Sequence, residues 1–265
     1  MKKTIIQGLI SVFLFFASWF ALTKIDWLTI FKVEKVTNKT EEKLGDIFWE
    51  VFKKSGKENK KPFVIKSIDS LVNKICASNN IEAKSLKIHV LENDEINAFA
   101  LPNGHLVIQS GLILNADNQA ELSGVISHEI AHIQLNHVMQ KLIKEIGLSV
   151  LISMTTGSGS PEIIKEAAKT LSSSAFDRDL EKEADLKAVD YLIESKINPE
   201  PFANFLFKLS KNEAAGAKYL TWVSTHPNSN NRAEYIIEYN KGKETKYENI
   251  ISTSSWNKLK QSLKE

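Results

Sequence analysis

Residues 128 to 132 spell His-Glu-Ile-Ala-His, and this string constrains the fold more than any other part of the 265-residue chain. On a helix, His128 and His132 lie four positions apart and therefore project from one face, one turn above the other. Two imidazole nitrogens placed in this way can bind a single metal ion. Glu129 lies beside them, within reach of a water molecule on that metal. The string therefore predicts a helix that carries two metal ligands and a base.

The flanking residues place this motif on an amphipathic helix. Leu122, Val125, Ile126, Ile130 and Ile133 recur at helical spacing. In that context HExxH is the arrangement of zinc proteases, in which the metal lowers the pKa of a bound water and the glutamate removes its proton. The competing interpretation is a structural helix that carries the five letters by chance, and the helical context disfavours it.

A third protein ligand is expected, because two histidines hold zinc only weakly. His137 is the nearest candidate in the chain. However, Leu135 and Val138 occupy the places where a metzincin has glycine and its third histidine. A polar or supporting role therefore suits His137 better.

The acidic segment 176 to 191 offers a second candidate. Glu181 and Asp185 are four residues apart and share one helical face, and Ala184 and Ala188 are small enough to let another helix approach closely. One carboxylate could bind zinc while the other orients a ligand histidine through its free N–H. The pattern alone leaves open a solvated charged face.

Four motifs, in a fixed order along the chain, carry a resemblance to a known family. They are the segment Ile96 to Ile113, the string at 128 to 132, Leu180-Glu-Lys-Glu-Ala-Asp185, and Thr225-His-Pro with Arg232 five residues beyond the proline. Together they resemble the membrane-associated zinc endopeptidases of the HtpX and CAAX-prenyl-protease type. The resemblance runs from about Pro62 to Asn240.

This resemblance implies roles for five residues. His128, His132 and Glu181 would be the ligands of one zinc ion per chain, and Glu129 would be the general base. Asp185 would orient a ligand histidine.

His226 and Arg232 match the family's HPxxxxR motif. The resemblance implies that they stabilise the oxyanion formed during hydrolysis, or that His226 occupies the fourth zinc position in a resting state. The sequence does not choose between these roles. For His-Pro alone, a loop histidine and a surface arginine would be the simpler interpretation.

A β-hairpin is predicted just before the metal-binding helix. Two apolar runs, 98 to 101 and 106 to 108, flank Pro102-Asn-Gly104, and Asn-Gly is a strong turn signal. An exposed edge strand here would bind an extended substrate through main-chain hydrogen bonds. Its substrate-binding residues would be Asn97, Ala98, Phe99 and Ala100. An ordinary sheet hairpin without a ligand fits the pattern equally well.

The N-terminus is the part of the chain that suggests a membrane. Lys2 and Lys3 precede an almost uninterrupted apolar run from Thr4 to Thr23, and about twenty helical residues span a bilayer core. We therefore expect residues 1–25 to form a single membrane anchor. The basic start predicts a catalytic part outside the cytoplasm, on the periplasmic side in a Gram-negative bacterium. The alternative is a cleaved signal, which would leave the protein secreted or periplasmic.

The rest of the chain is predicted to contain a helical and polar linker at residues 26–61 and a metallopeptidase domain at 62–265. A net charge of +2 gives no reason to expect nucleic acid as a partner. Cys76 is the single cysteine in the sequence, so it cannot form a disulfide within the chain.

The expected fold class is α+β, with a mostly helical zincin domain of the gluzincin type and a small sheet whose edge strand faces substrate. The expected function is a membrane-anchored zinc endopeptidase that hydrolyses misfolded or membrane-associated proteins in quality control. Its expected partners are unfolded or misfolded polypeptides and the membrane. Two alternatives stay open: a chaperone-like binder that retains the zinc fold, and a narrow-specificity processing protease.

Overall fold

The structure, a computed structural model, describes residues 2–23, 33–214, 221–243 and 245–264. It contains two compact units, Met1–Lys39 and Thr40–Glu265. Residues 26–32 of the predicted linker, and residues 1, 24 and 25 of the predicted anchor, lie outside the described residues.

The first unit contains helix α1, Lys2–Thr23, and the start of helix α2, Val33–Phe52. Large apolar side chains of α1 are exposed, among them Phe13, Phe15, Phe16, Trp19 and Phe20. No helix in the described part of the chain is both long enough and apolar enough to cross a membrane. The membrane anchor that the sequence predicts at residues 1–25 stays a prediction.

The second unit is built around a mixed sheet of four strands in the order β1-β2-β4-β3. The strands are β1 Lys57–Glu58, β2 Lys87–Glu92, β3 Ala98–Ala100 and β4 His105–Gln109. Strands β2 and β4 are parallel, while β1 pairs antiparallel with β2 and β3 pairs antiparallel with β4. The predicted hairpin is therefore present, and β3 is an edge strand of this sheet.

The turn between β3 and β4 depends on two residues with left-handed backbone. Asn103 has φ 59° and Gly104 has φ 71°, a conformation that asparagine tolerates and glycine adopts freely. A Cβ atom on Gly104 would also lie 2.0 Å from the Ser85 carbonyl oxygen. The Asn-Gly pair therefore satisfies both the backbone geometry and the close approach of the neighbouring loop.

Helices form most of the second unit. In chain order they are α3 Pro62–Ser78, α4 Ser110–Asn115, α5 Gln119–Gln134, α6 His137–Ile146, α7 Leu148–Thr155, α8 Pro161–Ser173, α9 Arg178–Glu194, α10 Glu200–Ala214, α11 Thr221–Thr225, α12 Ser229–Asn240 and α13 Thr253–Ser262. A short 3-10 helix, Ala83–Ser85, precedes β2. This mostly helical unit with a small sheet confirms the α+β expectation.

The sheet has an apolar core on each face, because alternate side chains of a strand point to opposite sides. From β4, Leu106 and Ile108 join the core formed with α3, α5, α9 and α10, whereas Val107 joins the core formed with α2, α6, α7 and α8. Helix α5 therefore lies on one face of the sheet, and α6 turns to the other.

The compact unit begins earlier than the domain boundary predicted at residue 62. Leu44 and Phe48 of α2 are fully buried in the second core, and β1 pairs with β2. Burial of these apolar side chains stabilises the packing of α2. Residues 40–61 therefore pack as part of the second unit.

Candidate metal centre

Helix α5 is fixed at its start and along its packed face. The Asn118 side chain caps the helix by accepting the N–H groups of Ala120 and Glu121, both at 3.0 Å. At Gly124 a Cβ atom would lie 2.3 Å from the Cβ atom of Phe202 on α10. Helix α10 can therefore approach α5 closely only because residue 124 is glycine.

The two histidines project from one face of α5, as their four-residue spacing predicts. His128 and His132 are fully buried, and their Nε2 atoms are 3.0 Å apart. Glu181 on α9 reaches the same point, with Oε1 3.3 Å from His132 Nε2 and Oε2 3.7 Å from His128 Nε2. Helix α9 packs against α5, and Ala184 and Ala188 are fully buried in the shared core, as their small size predicted.

His226 completes this cluster from the segment after α11. Its Nδ1 lies 2.7 Å from Glu181 Oε1 and 3.2 Å from His128 Nε2. One ligand atom from each of His128, His132, Glu181 and His226 lies within 4.8 Å of the others, and all four residues are buried. Three imidazoles and one carboxylate are ligand types that zinc accepts, and four is its usual number of ligands. The residues present therefore fit a zinc ion.

Asp185 holds His128 from the side opposite the cluster. Its Oδ1 lies 2.8 Å from His128 Nδ1, and the Asp185 side chain is fully buried. A carboxylate without a proton can only accept, so the neutral His128 ring carries its hydrogen on Nδ1 and presents the Nε2 lone pair to the cluster. Tyr235 on α12 also donates its hydroxyl hydrogen to Asp185.

Arg232 links three of these groups and is itself buried. Its Nε and Nη2 donate to the two oxygens of Asp185, both at 2.8 Å, and its Nη1 donates to the His226 carbonyl oxygen at 2.9 Å. Nη1 is also 2.9 Å from Glu181 Oε2. The guanidinium donors thus face groups of the protein. The oxyanion-binding role that the family resemblance implies for Arg232 stays a prediction.

The electrostatics keep both acidic groups ionised. Burial alone would raise the pKa of Glu181, but His226 and Arg232 hold it well below its ordinary range. Burial likewise opposes ionisation of Asp185, and Arg232 and His128 overcome that effect and lower its pKa. Burial, and then the neighbouring His128, lowers the pKa of His132, so a neutral imidazole is favoured there. Ionised carboxylates and neutral imidazoles are the forms that bind a metal ion.

Glu129 lies beside the cluster with both carboxylate oxygens engaged. The Ala100 N–H donates to Oε2 at 3.1 Å and the Trp222 indole N–H donates to Oε1 at 3.1 Å. The Nε2 atom of His226 is 3.4 Å from Oε1. Glu129 is therefore positioned next to the predicted metal position, between the edge strand and α11.

Sequence reasoning missed Trp222 and Tyr235. Trp222 is fully buried, stacks on His226 with ring centroids 4.7 Å apart, and lies under the Arg232 guanidinium. It precedes His226 by one helical turn, and the His226 N–H donates to the Trp222 carbonyl oxygen at 2.9 Å. The four-residue spacing was the available signal, because residues four apart on a helix share a face.

The four residues predicted to bind substrate are all buried, so β3 lies at the edge of the sheet but is not the exposed strand that the sequence predicted. Their main chains face two different directions. The Asn97 carbonyl oxygen accepts the Gln109 N–H at 3.0 Å, so the hydrogen-bonding groups of the Asn97 main chain point toward β4. Antiparallel pairing alternates, so Phe99 opposite Val107 is also directed to β4, and its ring packs against Phe52. The main-chain groups of Ala98 and Ala100 face away from β4.

Taken together, an HExxH helix, a carboxylate from a second helix and a buried acid behind a ligand histidine define a metallopeptidase. The sequence model of Peptidase family M48 matches residues 64–240, and the chain belongs to this family. The membership confirms the zinc-peptidase resemblance at the level of the family.

Several characterised relatives share part of the chain. It is 29% identical over 199 residues to the beta-barrel assembly-enhancing protease of Yersinia pestis, which covers 71% of this chain and 41% of the relative. It is 26% identical over 164 residues to the mitochondrial metalloendopeptidase OMA1 of Arabidopsis thaliana, covering 62% and 33%. The metalloprotease LoiP of Escherichia coli is 30% identical over 165 residues, covering 60% and 64%. The chain thus spans about two fifths of the length of the first of these relatives.

Proposed function

We propose that this chain is a zinc-dependent endopeptidase that hydrolyses misfolded or membrane-associated proteins in quality control. The observation that carries the proposal is the convergence of His128, His132 and Glu181 on one buried point with Glu129 beside it. The metalloprotease relatives support the same class of activity.

In this proposal His128, His132 and Glu181 hold one zinc ion. When bound, zinc would polarise the scissile carbonyl and lower the pKa of a water molecule. Glu129 would accept a proton from the attacking water and would later donate it to the leaving amine. Asp185 keeps His128 in the tautomer that leaves Nε2 free.

His226 is assigned a role that changes between resting and working states. Its Nδ1 lies among the ligand atoms, which supports a resting fourth ligand. During hydrolysis the same ring, once displaced, would donate to the oxyanion. Arg232 is assigned to positioning, because its donors hold Asp185, Glu181 and the His226 carbonyl oxygen.

The resting site must open before it can act. Glu129 is fully buried, and Trp222 donates to one of its oxygens and stacks on His226. Access of a water and a substrate carbonyl to Glu129 would therefore require α11 to move. We therefore expect a low basal activity that rises when α11 is displaced.

Substrate is proposed to bind as an added strand along β3, where main-chain hydrogen bonds give affinity with little sequence preference. Ala98 and the Ala100 carbonyl oxygen would offer the main-chain groups once the resting site has opened, because both residues are buried and the Ala100 N–H is donated to Glu129. Asn97 and Phe99 would hold the strand in place from the β4 side. We also propose that the protein works at a membrane, outside the cytoplasm. The exposed aromatic residues of α1 support contact with a membrane, and the two lysines before the apolar run support this side.

Casein cleavage by the full chain tests the function, with wild type compared with Glu129→Gln and zinc content measured on the same samples. We expect chelator-sensitive cleavage by wild type. Glu129→Gln should retain zinc and lose cleavage by at least about 100-fold, because the base is removed and the ligands are not. Equal cleavage by the two proteins would contradict the mechanism. Zinc binding without cleavage by either protein would indicate a resting site that stays closed, a chaperone-like binder or a narrow processing protease.

A further inference from the structure

The two histidines on α5 are held from behind by different groups. His128 Nδ1 faces the buried carboxylate of Asp185. His132 Nδ1 instead faces another imidazole, that of His137, with 3.1 Å between the two Nδ1 atoms. His137 is 1% exposed and is the first residue of α6. It is brought back toward α5 by Asn136, which has φ 59°.

His137 does not belong to the proposed metal-ligand group. The ligand atoms that lie within 4.8 Å of one another come from His128, His132, Glu181 and His226. The His132 ring presents Nε2 to that group, at 3.0 Å from His128 Nε2, and presents Nδ1 to His137. His137 therefore contacts a ligand and lies behind it.

Hydrogen-bond chemistry fixes the protons of this pair once His132 binds metal through Nε2. A neutral imidazole that uses Nε2 as a lone pair must carry its hydrogen on Nδ1. That hydrogen can only be donated to His137 if His137 Nδ1 is an acceptor. The hydrogen of His137 must then lie on Nε2, which is 3.5 Å from Glu183 Oε2.

We propose that His137 is a positioning residue that selects the metal-binding tautomer of His132 and fixes its ring orientation, with Glu183 aligning His137 in turn. This inference rests on the proposed zinc-dependent function. Glu183 is 58% exposed whereas Asp185 is fully buried. His128 is thus held directly by a buried carboxylate. His132 is held by the His137 imidazole, which in turn contacts a carboxylate at the surface.

Phe176 limits the alternatives for His132. Its ring lies against His132 with centroids 4.1 Å apart and an interplanar angle of 31°. This contact restricts the tilt of the imidazole but offers no acceptor for Nδ1–H. A hydrogen-bond acceptor at residue 137 is therefore required in addition to packing.

Zinc affinity of the full chain, measured by competition with chelators of known affinity, tests the proposal. His137→Phe keeps a ring but removes the acceptor, and His137→Asn keeps an acceptor oxygen near the Nδ1 position. We expect zinc binding by His137→Phe to weaken by about 10- to 100-fold, the range for groups that orient metal ligands. His137→Asn should recover most of that loss.

Two controls separate positioning from simple damage to the fold. Thermal unfolding of the zinc-free variants reports any loss of packing around α6. Long-range proton–nitrogen NMR correlations of zinc-loaded wild type report the tautomers directly, with hydrogens expected on His132 Nδ1 and His137 Nε2. The NMR measurement needs no variant, so it applies even if His137→Phe fails to fold.

Three results would overturn the inference alone: wild-type zinc affinity in His137→Phe, equal losses in the Phe and Asn variants, or a hydrogen on His137 Nδ1 in the zinc-loaded protein. Wild-type protein that binds no zinc would overturn the proposed function and this inference with it. The two failures are therefore distinguishable.

Discussion

Two pairs of histidines in this protein have the same distance between their ring nitrogens but lie in different surroundings. The Nε2 atoms of His128 and His132 are 3.0 Å apart, and His89 Nε2 lies 3.0 Å from His105 Nδ1 on the sheet. The first pair is joined by a Glu181 side chain that is 4% exposed. The second pair has carboxylates only at its ends and an ammonium, that of Lys87, beside it.

The second pair forms a directional chain of hydrogen bonds. Lys87 can only donate, so it donates to His105 Nε2 at 3.0 Å. His105 then donates from Nδ1 to His89 Nε2, and His89 donates from its Nδ1 to Glu58 at 3.2 Å. Each ring nitrogen is used, so no lone pair is left for a metal ion.

A short distance between two histidine rings does not by itself define a metal site. At α5 a buried carboxylate takes the Nδ1 hydrogen of His128, and a second carboxylate meets the free Nε2 atoms. On the sheet, the exposed fraction is 32% for Glu58 and 63% for Asp46. Buried negative charge converging on free lone pairs distinguishes the first cluster. Two buried carboxylates, those of Glu181 and Asp185, share the single positive charge of Arg232, and burying the remaining negative charge is costly without a further cation.

The largest expected effect comes from removing the converging carboxylate. Glu181→Gln keeps the size of the side chain but replaces an anionic ligand with a neutral amide, so we expect it to lose bound zinc. Metal content after dialysis checks this, with a decrease of at least about 100-fold in affinity, beyond that of groups that only orient ligands. Glu194→Ala, at the exposed end of the same helix, is the matched control and should retain zinc. Retention of zinc by both variants would show that the buried carboxylate of Glu181 is not needed for metal binding.

A smaller but still large effect is expected from Asp185→Asn. Asp185 is fully buried against Arg232, and neutralising one partner of a buried ion pair leaves the other charge uncompensated. The free energy of unfolding of zinc-free protein in urea should fall by about 3 to 5 kcal/mol. Asp190→Asn is the control, since Asp190 pairs with Lys243 near the surface and should cost less than about 1 kcal/mol. Similar losses of unfolding free energy in both variants would show that the buried Asp185–Arg232 pair contributes no more to stability than the surface pair.

The sequence predicted those parts of the structure that depend on local pattern. Helix α5 and the β3–β4 hairpin followed from periodicity and from Asn103-Gly104, and both are present. The pattern around Glu181 and Asp185 also fits a solvent-exposed helix face, because a charged helix is usually exposed. Only the family resemblance indicated that these two residues belong to the metal site. Their burial depends on packing against α5, which local pattern does not encode.

Other features depend on contacts between distant segments. Trp222 reaches Glu129 across 93 residues of sequence, and Arg232 reaches Asp185 across 47. No periodicity within one segment reports such contacts. The start of the compact unit at Thr40 was missed for a similar reason, because the lysine-rich composition around α2 concealed the apolar face of Leu44 and Phe48.

The smallest expected effect concerns the pH dependence of stability at the sheet pair. Burial, and then the neighbouring Lys87, lowers the pKa of His105 to about 4 from its ordinary 6.5. Above pH 6.5 both folded and unfolded chains hold a neutral His105, so its contribution is complete. As the pH falls from 6.5 toward 4, the unfolded chain binds a proton that the folded chain does not, and stability is lost.

His105→Gln should therefore remove part of the acid sensitivity of the zinc-free protein. In urea titrations at pH 6.5 and pH 4, wild type should lose more stability than the variant by on the order of 1 to 3 kcal/mol. Zinc content measured at pH 7 should be the same in both proteins, because every lone pair of the sheet pair is used within its own hydrogen-bond chain. A variant with wild-type acid sensitivity would show that the pair is not held neutral. Loss of zinc from His105→Gln would show instead that the two histidine clusters are not independent, since a change at the sheet would then reach the ligands on α5.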